Sequence, residues 1–362
     1  MPRKLPGLAP SLRLAVPATR DFVPQPLFLA IATFRWNSGA GRVPEAGRLG
    51  QHTLCYNITF RQYDFMENPM KVIAKAVSAV GVILTLALGS AAQERRLQVV
   101  AAENFYGDIA RQIGGNLVDV ASILNNPNHD PHLFETTASV IRQVVGAQII
   151  VFNGANYDPW MNKLLSATPR PSRIVLNVAE LVGTKSGDNP HLWYVPSTML
   201  AVAKALAEAF SKIDPVHAGD YSARQEVFDA SLAHVKEKMD QIRAAHLGVA
   251  VTATEPIFGP MVAALGLEMR NGRFQLAVMN DTEPGARDIA AFQKDLREHR
   301  VKVLIFNKQT KTNLTQRMLE IAFQSNIPVV GVTETQPADM NYQDWMLMQL
   351  DELQRALAAS PT

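Results

Sequence analysis

Cysteine is all but missing from this chain: Cys55 is the only one in 362 residues. A single thiol excludes an internal disulfide framework and a cysteine-built zinc site. No apolar run reaches the roughly 20 residues that a membrane-spanning helix needs. No glycine-rich loop with the lysine of a phosphate cradle occurs, so any ATP hydrolysis belongs to another protein. The net charge is only +2 and the pI about 8.6. The basic excess lies in the first 92 residues, and from Gln93 onward acids outnumber bases, so a nucleic-acid partner is not indicated. What remains is a chain 47% hydrophobic and 19% charged, enough for about two globular domains.

The N-terminal part has its own pattern. Met70-Lys71-Val72-Ile73-Ala74-Lys75 is a short positive head. The apolar stretch Val77–Leu88, broken only by Ser78, Gly81 and Thr85, follows it, and then the small residues Gly89-Ser90-Ala91-Ala92. Head, core and small-residue exit read as a secretory signal peptide over 70–92, cleaved near Ala92. Residues 1–69 are rich in Pro, Arg and Gly without sustained periodicity, and are expected to be a mis-called start or a disordered extension. No cysteine follows the apolar run, so a bacterial lipid anchor is not expected. The expected location is soluble, in the periplasm.

From Leu97 short apolar strands alternate with helical stretches. Leu97–Ala102, Val118–Ile123, Gln148–Phe152 and Arg173–Leu176 read as strands, with helices over Phe105–Ile113 and Ser139–Val145. Residues 197–245 hold helical spacing with no strand: Met199, Val202, Ala203, Leu206, Ala207 and Phe210, then a second run from Gly219 to Ala245. Alternation resumes with strands over Val249–Thr252, Phe274–Val278, Val303–Phe306 and Pro328–Val332. Helices are expected over Ile257–Leu265, Arg287–His299, Asn313–Ser325 and Tyr342–Ala358. The expected fold class is α/β: two similar lobes with mainly parallel sheets, 93–196 and 246–362, joined by a long rigid helical connector, 197–245. A ligand site is expected in the inter-lobe cleft, where C-terminal strand ends face each other.

Two loops carry the chemistry. Asn128-His129-Asp130-Pro131-His132-Leu133-Phe134-Glu135 follows a predicted strand, and Asp188-Asn189-Pro190-His191-Leu192-Trp193 lies further along the same lobe. Each places a histidine directly after a proline and beside bulky apolar residues. The proline restrains the backbone and the apolar wall limits water, which pre-sets an imidazole as a metal ligand.

With these motifs the chain resembles the metal-binding, solute-binding subunit of bacterial ABC importers for zinc and manganese (the cluster A-I family). Ala102-Glu103-Asn104-Phe105-Tyr106, Gly114-Gly115 and Asn153-Gly154 with Tyr157-Asp158-Pro159-Trp160-Met161 extend the resemblance, which spans about 97–358. It implies one divalent ion, manganese, zinc or ferrous iron, held by two ligands from each lobe and delivered to an ABC permease in the inner membrane. It further implies a monomeric, non-enzymatic receptor with limited lobe motion. The first two ligands map onto His132 and His191. Glu255, just past the first strand of the second lobe, takes the third position. The fourth is an acid after the last strand. The family's aspartate falls near Thr333 or Gln336 here, so Glu334 is the nearest carboxylate, with Asp339 a second choice. Two imidazoles and two carboxylates would neutralise a 2+ ion. Glu at the third position and a short, histidine-free Leu181–Asn189 segment favour manganese or ferrous iron over a dedicated zinc site.

Blander readings accompany these. Glu255 can be an acid at a helix N-terminus, and Glu334 a solvated loop residue. His129 lies three residues before His132, at the same ion or at the cleft rim. Trp160, Trp193 and Trp345 read as core aromatics. Lys308, Lys311 and Arg317 form a basic cluster read as solvated, and for Glu103 and Asp281 the sequence does not decide whether they are cleft or docking residues. Three further functions compete with a receptor: a zinc-dependent hydrolase with His129, Asp130 and His132 as ligands and Glu255 as base, a metal-dependent adhesin, and a metallochaperone.

Overall fold

Runs of Val and Ile long enough to be covered on both faces build the first sheet. The computed structural model describes residues 96–126 and 134–359. The proposed leader, the upstream extension and the loop with His129, Asp130 and His132 lie outside the described residues. Strand β1 (Leu97–Glu103) leads into helix α1 (Asn104–Gly114), β2 (Val118–Leu124), α2 (Ala138–Gly146), β3 (Ile149–Phe152), α3 (Pro159–Ala167), β4 (Ile174–Asn177) and the short α4 (Val178–Val182). The strands are all parallel, in the order β2-β1-β3-β4. β3 is buried along its whole length and β1 nearly so, as expected of central parallel strands with helices on both faces.

The expected helical connector is present, but it is divided. α5 (Pro196–Ile213) opens with proline in its first turn and ends where Asp214-Pro215 breaks the hydrogen-bond ladder. α6 (Ala218–Ser231) and α7 (Ala233–His246) follow, separated at Leu232. The apolar points predicted for α5, from Met199 to Phe210, are all buried. α5 and α6 pack on α1 of the first lobe, while α7 packs on the last helix of the second.

The second lobe repeats the topology. β5 (Ala250–Ala253), α8 (Gly259–Ala264), β6 (Glu268–Arg270), α9 (Gly272–Met279), α10 (Ala286–Arg297), β7 (Leu304–Asn307), α11 (Asn313–Gln324), β8 (Val329–Val332) and α12 (Tyr342–Ala358) build a parallel sheet ordered β6-β5-β7-β8. One expected strand is corrected. Phe274–Val278 is not a strand but lies within helix α9, where Phe274 and Val278, four residues apart, share a buried face. Phe274 packs on Phe292 of α10 with ring centroids 4.6 Å apart. Short apolar runs satisfy both periodicities, and packing decided this one. The strand beside β5 is the three-residue β6, too short and polar to show in the sequence.

One apolar cluster runs through both lobes and the connector, from Phe105 and Trp193 through Leu206 and Phe210 to Phe258 and Trp345. Separate smaller clusters fill the outer side of each sheet. The shared core is reinforced by buried polar ties between lobes. Asn104 Nδ2 donates to the Gln336 carbonyl at 2.6 Å and Asn104 Oδ1 accepts from Gln336 N at 3.1 Å. Tyr194 Oη donates to the Thr333 carbonyl, Tyr342 Oη to the Trp193 carbonyl, and Tyr342 N to Asp108 Oδ2. Opening the lobes as rigid bodies would expose these aromatics and strand their partners, which strongly disfavours a wide hinge.

Candidate metal centre

In both sheets the strand order reverses direction between the first and third strands, so each sheet has a crevice at the C-terminal ends of that pair. Glu103 and Asn153 lie at those ends in the first lobe. In the second, Glu255 follows β5 by two residues, Asn307 ends β7, and Glu334 follows β8 by two. Topology therefore brings these side chains toward one another.

His191 is buried at 1% exposure. Its Nδ1 lies 2.7 Å from Asn189 Oδ1, which also accepts from the His191 backbone N–H. The Asn189 amide nitrogen donates to the Pro256 carbonyl at 2.7 Å, across the cleft. That orientation makes Asn189 Oδ1 an acceptor, so Nδ1 carries a hydrogen and Nε2 is the nitrogen left to face the cleft. Nε2 faces Glu334 Oε2 at 3.7 Å. Gly259 makes room for Asn189, since a Cβ there would sit 2.9 Å from its Nδ2. Trp193 and Tyr157 wall the imidazole, with ring centroids 5.2 and 5.9 Å away.

Glu334 is also buried. Its Oε2 accepts from Tyr157 Oη at 3.0 Å and its Oε1 from Asn307 Nδ2 at 2.7 Å. Burial, with the Glu334 charge next, holds the Tyr157 hydroxyl well above its ordinary range, so it stays a donor. Gln309 Oε1 accepts from the backbone N–H groups of Glu334 and Thr335, fixing this loop. Glu255 precedes a 3₁₀ turn, Pro256–Phe258, but its side chain makes no capping bond; its Oε2 accepts from Asn307 Nδ2 instead. The helix-terminus reading of Glu255 therefore gives way to a place among the buried polar groups of the cleft, and Glu334 is not solvated. Asp339, the second choice for the fourth position, is exposed, as are Asp281, Lys308, Lys311 and Arg317. The three tryptophans behave as core aromatics, with Trp193 and Trp345 fully buried and Trp160 packed on Phe134.

The structure thus brings His191, Glu255 and Glu334 to one place, with Asn307 between the two carboxylates. Among the described residues no three His, Cys, Asp or Glu side chains close into a cage by themselves. His132 and His129 lie outside the described residues. The sequence alone gives Asn307, Asn189, Tyr157 and Gln309 no role. Asn307 carries a readable signal, as the last residue of a buried strand at the switch point.

Glu103, for which the sequence decides no role, ends β1 and is buried. Neither of its oxygens meets a hydrogen-bond donor. Burial, and then the Asp158 charge, push its carboxyl well above the usual range. Asp158 accepts from the N–H groups of Asn153 at 2.7 Å and Gly154 at 2.8 Å, yet burial still raises it to about 6. Gly154 has φ +74°, and a Cβ there would collide with Asn177, so this turn requires glycine. A proton on Glu103 supplies the missing donor between the two carboxyls. The folded state then binds protons more tightly than the unfolded chain. This pair's contribution to stability is fully present below about pH 4 and is lost as pH rises from about 4 through 6, on the order of 3 kcal/mol for Asp158 alone. Glu103→Gln supplies a permanent donor, so its apo melting temperature should fall less between pH 4.5 and 7.5 than the wild type's. Parallel declines would contradict the shared-proton account.

Two parallel-sheet lobes with a common core, meeting over a buried imidazole and two carboxylates, are the architecture of a bilobal binding protein. The sequence profile of the family described as "ZnuA: Zinc-uptake complex component A periplasmic" matches residues 99–356, and the chain belongs to that family. Among curated relatives it is 26% identical over 235 residues to the zinc-binding protein TroA of Treponema pallidum, covering 61% of this chain and 75% of TroA. It is 24% identical over 247 residues to the manganese-binding lipoprotein MntA of Bacillus subtilis, covering 63% and 76%. It is 27% identical over 160 residues to the iron-binding protein YfeA of Yersinia pestis, covering 41% and 51%. The solved periplasmic zinc-binding protein TroA superposes with a TM-score of 0.63 at 18% identity, over 73% of this chain and all of that one, which shows the shared fold.

Proposed function

We propose that the protein is a non-enzymatic, monomeric receptor of the periplasm that captures one divalent metal ion, zinc, manganese or ferrous iron, and hands it to an ABC permease in the inner membrane. The proposed ligands are His191, Glu255 and Glu334, completed by His132 from the loop outside the described residues. The observation that carries this reading is His191 Nε2 facing Glu334 Oε2 across the cleft at 3.7 Å, with the ring's tautomer set by Asn189. Two neutral imidazoles and two carboxylates neutralise the ion, so it can be enclosed without stranding a buried charge. The three relatives named above bind zinc, manganese and iron by their names, which supports the same cargo class here. No described helix is long and apolar enough to cross a membrane, and the absence of a cysteine after Val77–Leu88 supports a protein without a lipid anchor.

Calorimetric titration of the purified protein with zinc and manganese tests the reading. Wild type is expected to take one ion per chain, and Glu255→Ala and His132→Ala to lower affinity strongly without changing the apo circular dichroism spectrum. Unchanged affinity in both variants would reject the site.

A further inference from the structure

The chain reaches His191 through an exposed segment, residues 185–188, and is fastened again at Pro190, which is buried. The peptide unit between Pro190 and His191 is held at both ends. Its N–H donates to Asn189 Oδ1 at 3.1 Å, and its carbonyl accepts from Asn153 Nδ2 at 2.8 Å. Because a peptide unit is planar, the two bonds fix the plane from which the His191 side chain departs. Asn153 is fully buried and directly follows β3. Its amide has one orientation. The carbonyls of Pro190 and, at 3.1 Å, Gly154 can only accept, so they take the nitrogen, and Oδ1 is left to accept from Tyr106 Oη at 2.7 Å. Its backbone N–H donates to Asp158 Oδ2 at 2.7 Å, and its carbonyl accepts from Ala179 N at 2.9 Å. Behind it Gly154, Ala155 and Asn156 are left-handed in succession, with φ +74°, +49° and +65°. Two of the three carry a Cβ, and such backbone persists where the surroundings enforce it. Here Asp158 Oδ1 takes the Gly154 N–H at 2.8 Å, and the Gly154 carbonyl takes the Tyr157 N–H at 3.0 Å.

We infer that Asn153 is a positioning residue for metal capture: by holding the Pro190 carbonyl against the end of β3, it fixes where the His191 imidazole stands in the cleft. This rests on the metal-site reading above, in which His191 is a ligand. Asn189 orients the ring and ties it to the second lobe through the Pro256 carbonyl, while Asn153 fastens the backbone of the same residue to the first sheet. The strained turn serves the same end, since it locks the amide that does the holding. Without the Asn153 bond, His191 would have to be ordered when the ion arrives, and that entropic cost would be subtracted from affinity.

The test is a double-mutant cycle on zinc affinity, read by competition against chelating indicators of graded strength. Asn153→Leu is combined with Tyr106→Phe, because replacing both hydrogen-bonding partners by apolar groups leaves no buried hydroxyl stranded. Tyr106→Phe alone is the reference. Asn153→Ser, too short to reach Pro190 and leaving room for a water against Tyr106 Oη, is measured beside the pair and decides if the pair does not fold. Groups that orient a metal ligand typically change affinity by about 10- to 100-fold, and a fall of that size is expected from either Asn153 substitution while His191 is present. In the His191→Ala background the same substitutions should change the remaining affinity by less than about threefold, since the residue they act through is gone. An equal fall in both backgrounds is the result for a purely structural residue and overturns the inference. His191→Ala that binds zinc as the wild type does overturns the site reading and this inference with it. His191→Ala that loses affinity, with Asn153 variants that keep it, overturns this inference alone.

Discussion

His191→Ala is expected to lower zinc affinity about a hundred- to a thousandfold. Structural zinc sites with four ligands bind with roughly 10–16 kcal/mol at neutral pH, so one ligand is worth about 3–4 kcal/mol, and each 1.4 kcal/mol is a factor of ten. The loss should exceed that of an ordinary cleft residue for a geometric reason. His191 is the proposed first-lobe ligand whose tautomer and tilt are both fixed, by Asn189 Oδ1 on one side and the Trp193 ring on the other. Asn189 also reaches the carbonyl of Pro256, next to Glu255, so the imidazole is held in register with the opposite lobe. Calorimetry of the variant against zinc reads the change directly. A decrease of less than about threefold would remove His191 from the site.

Trp193→Ala is expected to act on the fold instead, by about 3–5 kcal/mol, the range for emptying a large aromatic from a core. For a domain of this size that corresponds to a fall of about 10 °C in the apo melting temperature. Trp193 is fully buried and its ring lies 4.7 Å from Phe105, 5.0 Å from Tyr157 and 5.7 Å from Tyr194 by centroids. Tyr194 in turn packs on Phe258 of the second lobe at 4.7 Å, and Phe105 lies 6.0 Å from Trp345. The substitution thus removes the centre of the aromatic stack that makes one body of two lobes. Trp193→Phe should recover part of the loss, because it restores ring contact without the full volume. Differential scanning calorimetry checks both, and a melting temperature within about 2 °C of wild type for the alanine variant would show that the lobes do not share a core.

The fold was legible wherever burial on both faces wrote itself into composition. The central strands are continuous runs of apolar residues, and α12 keeps its predicted bounds, Tyr342–Ala358, because asparagine caps its start and its apolar face repeats with helical spacing. Where burial was partial the sequence was ambiguous: Phe274–Val278 fits a strand or a helix, and only Phe292 across the interface selects the helix. The site was legible to the extent that it is charged. Glu334 and Asp339 were separable only in three dimensions, since one points inward and the other is exposed. Asn307 left no charge signal, and its meaning depends on Glu255 and Glu334, 52 and 27 residues away in the chain. Before the sheet brings those acids together, such a neutral amide shows only as the end of a buried strand.

The most direct test is the position of the ion itself. In crystals of zinc-loaded protein, the anomalous signal at the zinc edge should give one peak per chain, about 2.0–2.2 Å from His191 Nε2 and from one oxygen each of Glu255 and Glu334. A peak elsewhere, or one bonded to fewer than two of these three side chains, would contradict the account.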